Sequence, residues 1–214
     1  MDFLNAIILI SNFIIVPAIT YGSQLALGAI GVTLIYGVLR FANFAYGDLM
    51  AFGTMIVILF TWFLQSKGIT FGLLPTAILA LPIGILFTIA ISLFFDKTVF
   101  EYYREKKSNP VTFIVVSLGI MFVLNAVVRI IIGPNDINFM DGHKFIMKAR
   151  EFKQLTGLNE GLAIKSTQVI TLITTIITCS LLFYFLNKTK TGKSMRAYSD
   201  NEDLALLSGI DPKK

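Results

Sequence analysis

Long apolar runs alternate with short polar segments along almost the whole chain. Several runs approach the ~20 residues that a helix needs to cross a bilayer. Lipid offers no partner to an open strand edge, so each run is predicted to be helical. The predicted fold is all-α, a polytopic membrane helix bundle with about six transmembrane helices. The predicted spans are residues 3–20, 22–39, 47–65, 73–95, 111–132 and 167–187.

The first two predicted spans are joined by almost no polar sequence. Two arrangements fit this pattern: a tight hairpin at Pro17 and Gly22, or a first segment that lies at the membrane interface. The starting sequence MDFLNAIILISNFIIVPA has no basic region and no clear small-residue cleavage site. It is therefore predicted to be the first helix rather than a cleaved signal peptide.

The composition agrees with an integral membrane protein. Of the 214 residues, 55% are hydrophobic and 14% are charged, whereas a soluble domain carries roughly 25% charged residues. The mean hydropathy is +0.76. In such a protein the net charge of +5 reports topology through the loops, so we do not interpret it as a signal for nucleic-acid binding.

Lysine and arginine cluster in residues 96–109 and again after residue 187. Cytoplasmic loops are enriched in these residues, so both segments are predicted to be cytoplasmic. The sequence thus predicts a transmembrane domain over 1–187, with an outer loop at 133–166, and a cytoplasmic segment over 188–214. Within the outer loop, FIMKAREFKQL is predicted to form a small amphipathic helix. Counting back through six spans places the N-terminus in the cytoplasm.

Small residues recur three or four positions apart in the second predicted span. This spacing places them on one helix face, where another helix can approach closely. The alternative is generic membrane packing. The residues of this stripe are Gly22, Ala26, Ala29, Thr33 and Gly37.

Polar residues interrupt two of the apolar runs. Asn43 and Asp48 lie in RFANFAYGD, and Asn125 lies one turn before Arg129 in the fifth predicted span. Polar groups at membrane depth are costly and usually face a bundle interior or a watery path, and interrupted helices often build transport sites. Asn43, Asp48 and Asn125 are therefore candidate substrate-pathway residues. The alternatives are a short cytoplasmic loop with Asp48 as helix N-cap, and an interhelical clasp through Asn125.

Motifs for chemistry and metal binding are absent from the sequence. TGKS at 191–194 lacks the earlier glycine of a phosphate-binding loop, because that position is Asn187. The lone histidine, His143, and the lone cysteine, Cys179, have no partners for a metal site. We predict neither a metal nor a cofactor, and we do not predict an enzyme.

The polar tail KTKTGKSMRAYSDNEDLALLSGI is predicted to be a short amphipathic helix closed by Gly209. A membrane protein needs such a helix outside the lipid when a soluble partner drives it. The alternative is an ordinary amphipathic tail at the interface.

Three stretches together resemble one family. ALGAIGVTLIYGVLRFANFAYGDLMAFG, VTFIVVSLGIMFVLNAVVRIIIGP and KTGKSMRAYSDNEDLALLSGI occur in the order typical of branched-chain amino acid ABC importer permeases. The resemblance implies a subunit of a bacterial inner-membrane importer. Its partners would be cytoplasmic ABC ATPase subunits, a second permease subunit, a periplasmic solute-binding protein and the lipid bilayer. Carried onto this sequence, the ATPase-coupling residues would be Met195, Arg196, Ala197, Asn201, Ala205, Leu206 and Gly209.

The sequence departs from the family pattern at its end. Family members continue for several helices past the coupling segment, whereas this sequence stops at Lys214, so it is expected to be truncated or split. Three other functions therefore stay open. They are a urea or short-amide ABC permease, an ATP-independent channel or carrier, and a non-functional truncated fragment.

Overall fold

The computed structural model describes residues 2–70, 74–135, 139, 141 and 145–209, and is mostly helical. The helices are α1 (Asp2–Ile10), α2 (Val16–Leu39), α3 (Tyr46–Ser66), α4 (Ala77–Phe95), α5 (Glu101–Glu105), α6 (Pro110–Ile132), α7 (Ala149–Thr156), α8 (Ser166–Lys188), α9 (Lys190–Asp200) and α10 (Glu202–Leu207). Two π-helical turns, Ser11–Ile15 and Asp96–Phe100, connect α1 to α2 and α4 to α5. Two short strands, β1 (Phe145–Met147) and β2 (Ile164–Lys165), pair antiparallel. The predicted helical membrane class is confirmed.

Five helices among the described residues are long and apolar enough to cross a membrane, where the sequence predicts about six. They are Phe3–Leu39, Tyr46–Ser66, Ala77–Glu105, Pro110–Ile132 and Ser166–Lys188. The difference lies at the start, because the predicted spans 3–20 and 22–39 form one continuous helix of 37 residues.

The predicted hairpin at Pro17 and Gly22 is therefore wrong. Pro17 cannot donate a backbone hydrogen bond to the preceding turn, and the wider π-helical turn Ser11–Ile15 lies directly before it. Such a turn absorbs a break in the hydrogen-bond ladder without reversing the chain. Gly22 lies inside α2 and forms no turn.

The chain forms two compact units, Met1–Leu39 with Lys144–Lys214 and Arg40–His143. In the first unit, α2 packs against α8 and α9. The segment between β1 and β2 contains α7, so the predicted amphipathic helix is present, although its first predicted residues form β1. Asn12 holds this segment, since its side-chain amide donates to the Gly161 carbonyl (2.6 Å) and accepts from the Ala163 amide (3.0 Å).

The second unit is built on α3, α4 and α6. Glycines let α3 and α4 approach closely, because a side chain at Gly53 would overlap Thr88 and one at Gly84 would overlap Val57. A buried cluster joins these helices to the residues before α3 and after α4. Its members are Phe41, Ala45, Phe100, Ile120 and Leu124.

Candidate functional site

The chain leaves the helical conformation between Leu39 and Tyr46; we call residues 40–45 the break. Arg40 begins it with a φ of 59°, a left-handed conformation that costs a non-glycine residue roughly 1–2 kcal/mol. The Asn43 side-chain oxygen then accepts from the Ala45 amide at 3.1 Å. Asn43 thus forms the turn that leads into α3. The side-chain oxygen of this candidate pathway residue is bonded to the backbone of the same turn.

Contacts from α6 hold the break in place. Phe41 is buried, and its ring lies 5.1 Å from that of Phe113 and 5.7 Å from that of Phe100, measured between ring centres. The hydroxyl of Ser117, which is fully buried, accepts from the Phe44 amide at 3.1 Å and donates to the Ile114 carbonyl. The break is therefore a packed feature that the Ser117 hydroxyl and the Phe41 ring hold against its neighbours.

Two of the three candidate pathway residues meet. The Asn125 side-chain amide donates to an Asp48 carboxylate oxygen at 3.0 Å. Asp48 lies in the first turn of α3, where the helix dipole stabilises a negative charge. Ala45, without a side-chain cap, is the N-cap residue of α3, so Asp48 does not play that role. We call Asp48 and Asn125 the polar pair.

The position of the polar pair along α6 relates it to a helix that is long and apolar enough to cross a membrane. Asn125 is 15 residues after Pro110, the first residue of α6, which is about 22 Å along the helix. Ser117, the partner of the break, is about 10 Å along it by the same rise per residue. The break therefore lies about one third of the way along this candidate membrane span, and the polar pair about two thirds of the way along it.

The predicted coupling segment is two helices rather than one. Asn201 ends α9 in an extended conformation, and its side-chain oxygen accepts from the Leu204 amide at 3.1 Å, which caps α10. Sequence reasoning missed this division into two helices, because an Asn after an Asp resembles any polar stretch of an amphipathic helix. Gly209 has a φ of 81° and donates to the Leu206 carbonyl, so the predicted glycine cap is confirmed.

The predicted coupling residues divide between a packed face and an exposed face. Ala205 is buried and Ala197 is half-buried, whereas Met195, Arg196, Asn201, Leu206 and Gly209 are exposed. The Arg196 side chain donates to the Asn187 side-chain oxygen at 2.7 Å. Leu204, Leu206 and Leu207 give α10 an exposed apolar surface, with Leu207 84% exposed. We call these three residues the leucine patch.

The TGKS sequence serves packing at the end of α8. A side chain at Gly192 would overlap the backbone of Phe185 and Leu186. The Thr189 hydroxyl caps α9 by accepting from the Gly192 amide at 3.0 Å. Gly192 is thus required for close backbone approach, and its amide is already paired.

Most of the small-residue stripe is exposed. Gly22, Ala26, Ala29 and Thr33 are exposed, and a side chain at Gly22 would meet nothing within 4 Å. A Cβ atom at Gly37 would lie 3.1 Å from the Ser199 hydroxyl in α9. Helix packing along the stripe therefore stays a prediction. Sequence reasoning missed the close packing at Gly53 and Gly84, where a glycine on one helix lies opposite a β-branched residue on the other.

The described residues contain no group of three or more His, Cys, Asp or Glu side chains that could hold a metal ion. His143 lies outside the described residues, and Cys179 is half-buried in α8.

Comparison with known proteins assigns the chain to a family. The sequence model described as branched-chain amino acid transport system / permease component matches residues 14–214. The chain is 23% identical over 198 residues to the high-affinity branched-chain amino acid transport system permease protein LivH of Salmonella typhimurium. It is 24% identical over 198 residues to LivH of Escherichia coli K12 and 24% identical over 206 residues to the corresponding BraD protein of Pseudomonas aeruginosa.

These alignments cover 90–92% of this chain but 60–62% of the relatives. The chain thus spans about three fifths of the length of the relatives it matches. No solved structure matches the chain.

Proposed function

We propose that this chain, which belongs to the branched-chain amino acid transport permease family, is a transmembrane subunit of a bacterial ABC importer. It is a multi-pass membrane protein of a transporter family, and that family is not one of enzymes. In our proposal it moves branched-chain or related amino acids across the inner membrane. The observation that carries the proposal is the family match over residues 14–214.

The polar pair supports a transport role. Asp48 is a half-buried carboxylate that pairs with Asn125 about two thirds of the way along α6. Ionisable groups within membrane spans are costly and usually serve a function. One Asp48 oxygen accepts from Asn125, and its other lone pairs are available to the ammonium group of a passing amino acid. Asn43 shapes the break that positions α3, so it acts on the pathway indirectly.

The leucine patch supports coupling to a partner. An exposed apolar surface on a short helix outside the spans is the kind of surface that docks into a groove of another protein. We assign that groove to a cytoplasmic ABC ATPase subunit. The domain division follows, with a transmembrane permease domain over 1–187 and a cytoplasmic coupling segment over 188–214. A second permease subunit and a periplasmic solute-binding protein complete the proposed importer.

Uptake of labelled leucine and labelled urea, in cells with and without the gene, tests the substrate. Loss of leucine uptake alone is expected. Loss of urea uptake alone would contradict the amino-acid assignment and identify an amide permease instead. No change in either uptake would overturn the proposed function and favour a non-functional fragment.

A further inference from the structure

A cavity of about 480 Å³ lies in the unit formed by Met1–Leu39 and Lys144–Lys214. This volume falls in the range of small-molecule sites. Leu9, Phe13 and Pro17 supply an apolar wall from the first helix, and Lys153, Glu160 and Lys165 supply charges from the segment around α7 and β2. The cavity lies at the Ser166 end of α8, away from Lys188 and the coupling segment that follows it.

The frame of the cavity is fixed by hydrogen bonds and close packing. Asn12, also in the lining, uses both ends of its side-chain amide on the backbone of Gly161 and Ala163. Gly161 is buried, and a side chain there would overlap the backbone of Ala149 at the start of α7. The wall on the first helix includes part of the π-helical turn Ser11–Ile15, and π-helical turns are frequent at functional sites.

The charges of the cavity are not neutralised by their neighbours. Within the described part of the chain, the side-chain heads of Lys153, Glu160 and Lys165 make no hydrogen bond or ion pair. Glu160 is half-buried and both lysines are exposed. The cavity thus presents two cations and one anion with unused hydrogen-bonding capacity.

This combination selects the class of ligand. A simple anion would meet repulsion from Glu160, and a simple amine would meet repulsion from two lysines. A zwitterion avoids net repulsion, because its anionic group can bind a lysine while its ammonium group binds Glu160, each through charge-assisted hydrogen bonds. The apolar wall of Leu9, Phe13 and Pro17 then accepts an aliphatic substituent.

We propose that this cavity binds a zwitterion that carries an aliphatic group, at a site separate from the polar pair. Two sources have this chemistry: a free aliphatic α-amino acid and the head group of an ethanolamine phospholipid. The amino-acid form rests on the proposed function, because it gives the solute a first binding position before the spans.

Binding of labelled leucine to the purified chain tests the proposal. The chain is placed in nanodiscs of phosphatidylglycerol, a lipid without an ammonium group. Saturable binding is expected, and it should weaken about tenfold in Glu160→Gln and in Lys165→Gln, the loss expected for one hydrogen bond to a charged group. Glu105→Gln and Lys67→Gln are matched controls away from the cavity and should bind as the wild type does.

Two competitors test the requirement for both charges. Neither 4-methylpentanoate, which lacks the ammonium group, nor 3-methylbutylamine, which lacks the carboxylate, should displace leucine. The Asp48→Asn variant should keep this binding, which separates the cavity from the polar pair.

The lipid source is tested by mass spectrometry of the chain extracted from its native membrane. Phosphatidylethanolamine that is retained by the wild type and lost in Glu160→Gln would support the zwitterion site with lipid as its ligand. The proposal is overturned if neither leucine nor phosphatidylethanolamine binds, if the cavity variants bind like their controls, or if 4-methylpentanoate competes as well as leucine. Absent binding with intact leucine uptake would reject this site alone, whereas binding with no uptake would reject the proposed function alone.

Discussion

Ser117 connects the break to α6 through a single hydroxyl group. The Phe44 amide that it accepts from has no helical partner, because the break interrupts the hydrogen-bond ladder between α2 and α3. Ser117 is 0% exposed, so its hydroxyl has no water to replace Phe44 as a partner. The position of the break thus depends on one buried acceptor together with the packing of Phe41.

We expect Ser117→Ala to lower the stability of the chain by about 1 kcal/mol, because it removes the hydrogen bond between the Ser117 hydroxyl and the Phe44 amide. Thermal unfolding in detergent measures this loss. Ser92→Ala, at an exposed position of α4, is the matched control and should change the midpoint little. Equal midpoints for the two variants would show that the hydroxyl does not hold the break.

At the scale of single residues, the sequence predicted which groups are unusual but not what each one does. Asp48 and Asn125 stood out as polar residues in apolar runs, and they do form a pair. Asn43 stood out for the same reason, yet it forms a local turn. Phe41 gave no signal at all, since an aromatic residue beside a span looks like any apolar residue until its partners Phe100, in the π-helical turn after α4, and Phe113, in α6, are known.

Among the elements, apolar length predicted the later spans well, because lipid leaves a long apolar run few alternatives to a helix. It failed at the start of the chain. A Pro and a Gly between two apolar runs suggest a turn, yet a helix tolerates both when a π-helical turn takes up the missing hydrogen bond. The amphipathic pattern of the tail was also misleading, because the Asn201 cap divides the predicted single helix into α9 and α10.

The leucine patch gives a prediction at the scale of one element. We expect Leu206→Asp to abolish co-purification of the chain with its ATPase subunit, because the substitution places a charge in the docking surface. Helix content should stay the same, since Leu206 is exposed. Leu206→Met is the matched control and should keep binding. If the wild-type chain itself fails to bind an ATPase subunit, the coupling assignment is wrong.

The number of spans determines the orientation of the whole molecule. Six spans would place both ends of the chain on one side, whereas the five candidate spans among the described residues place the start of the first helix on the side opposite the tail. Hydrogen bonds agree with five: Asn5 accepts from the Glu160 amide and Asn12 binds Gly161 and Ala163. The first helix therefore begins on the same side as the predicted outer loop. If the tail is cytoplasmic, the predicted cytoplasmic N-terminus does not follow.

Cysteine labelling tests this orientation. In a Cys179→Ser background, we expect Phe3→Cys to react with a membrane-impermeant maleimide in intact spheroplasts, because Phe3 is the first residue of the first span and would lie at its outer end. Lys193→Cys, at an exposed position of α9, should react only after the membrane is opened. Reaction of both cysteines only after the membrane is opened would restore the orientation predicted from six spans.

The central claim is that the polar pair lies on the path of the solute, and leucine uptake by Asp48→Asn tests it most directly. Asparagine keeps the size of the side chain and a hydrogen bond to Asn125 but removes the charge offered to the solute's ammonium group. We predict a loss of uptake of about tenfold or more, with the amount of chain in the membrane unchanged. Glu101→Gln, an exposed acidic position outside the pair, should transport normally. Wild-type uptake by Asp48→Asn would contradict the claim.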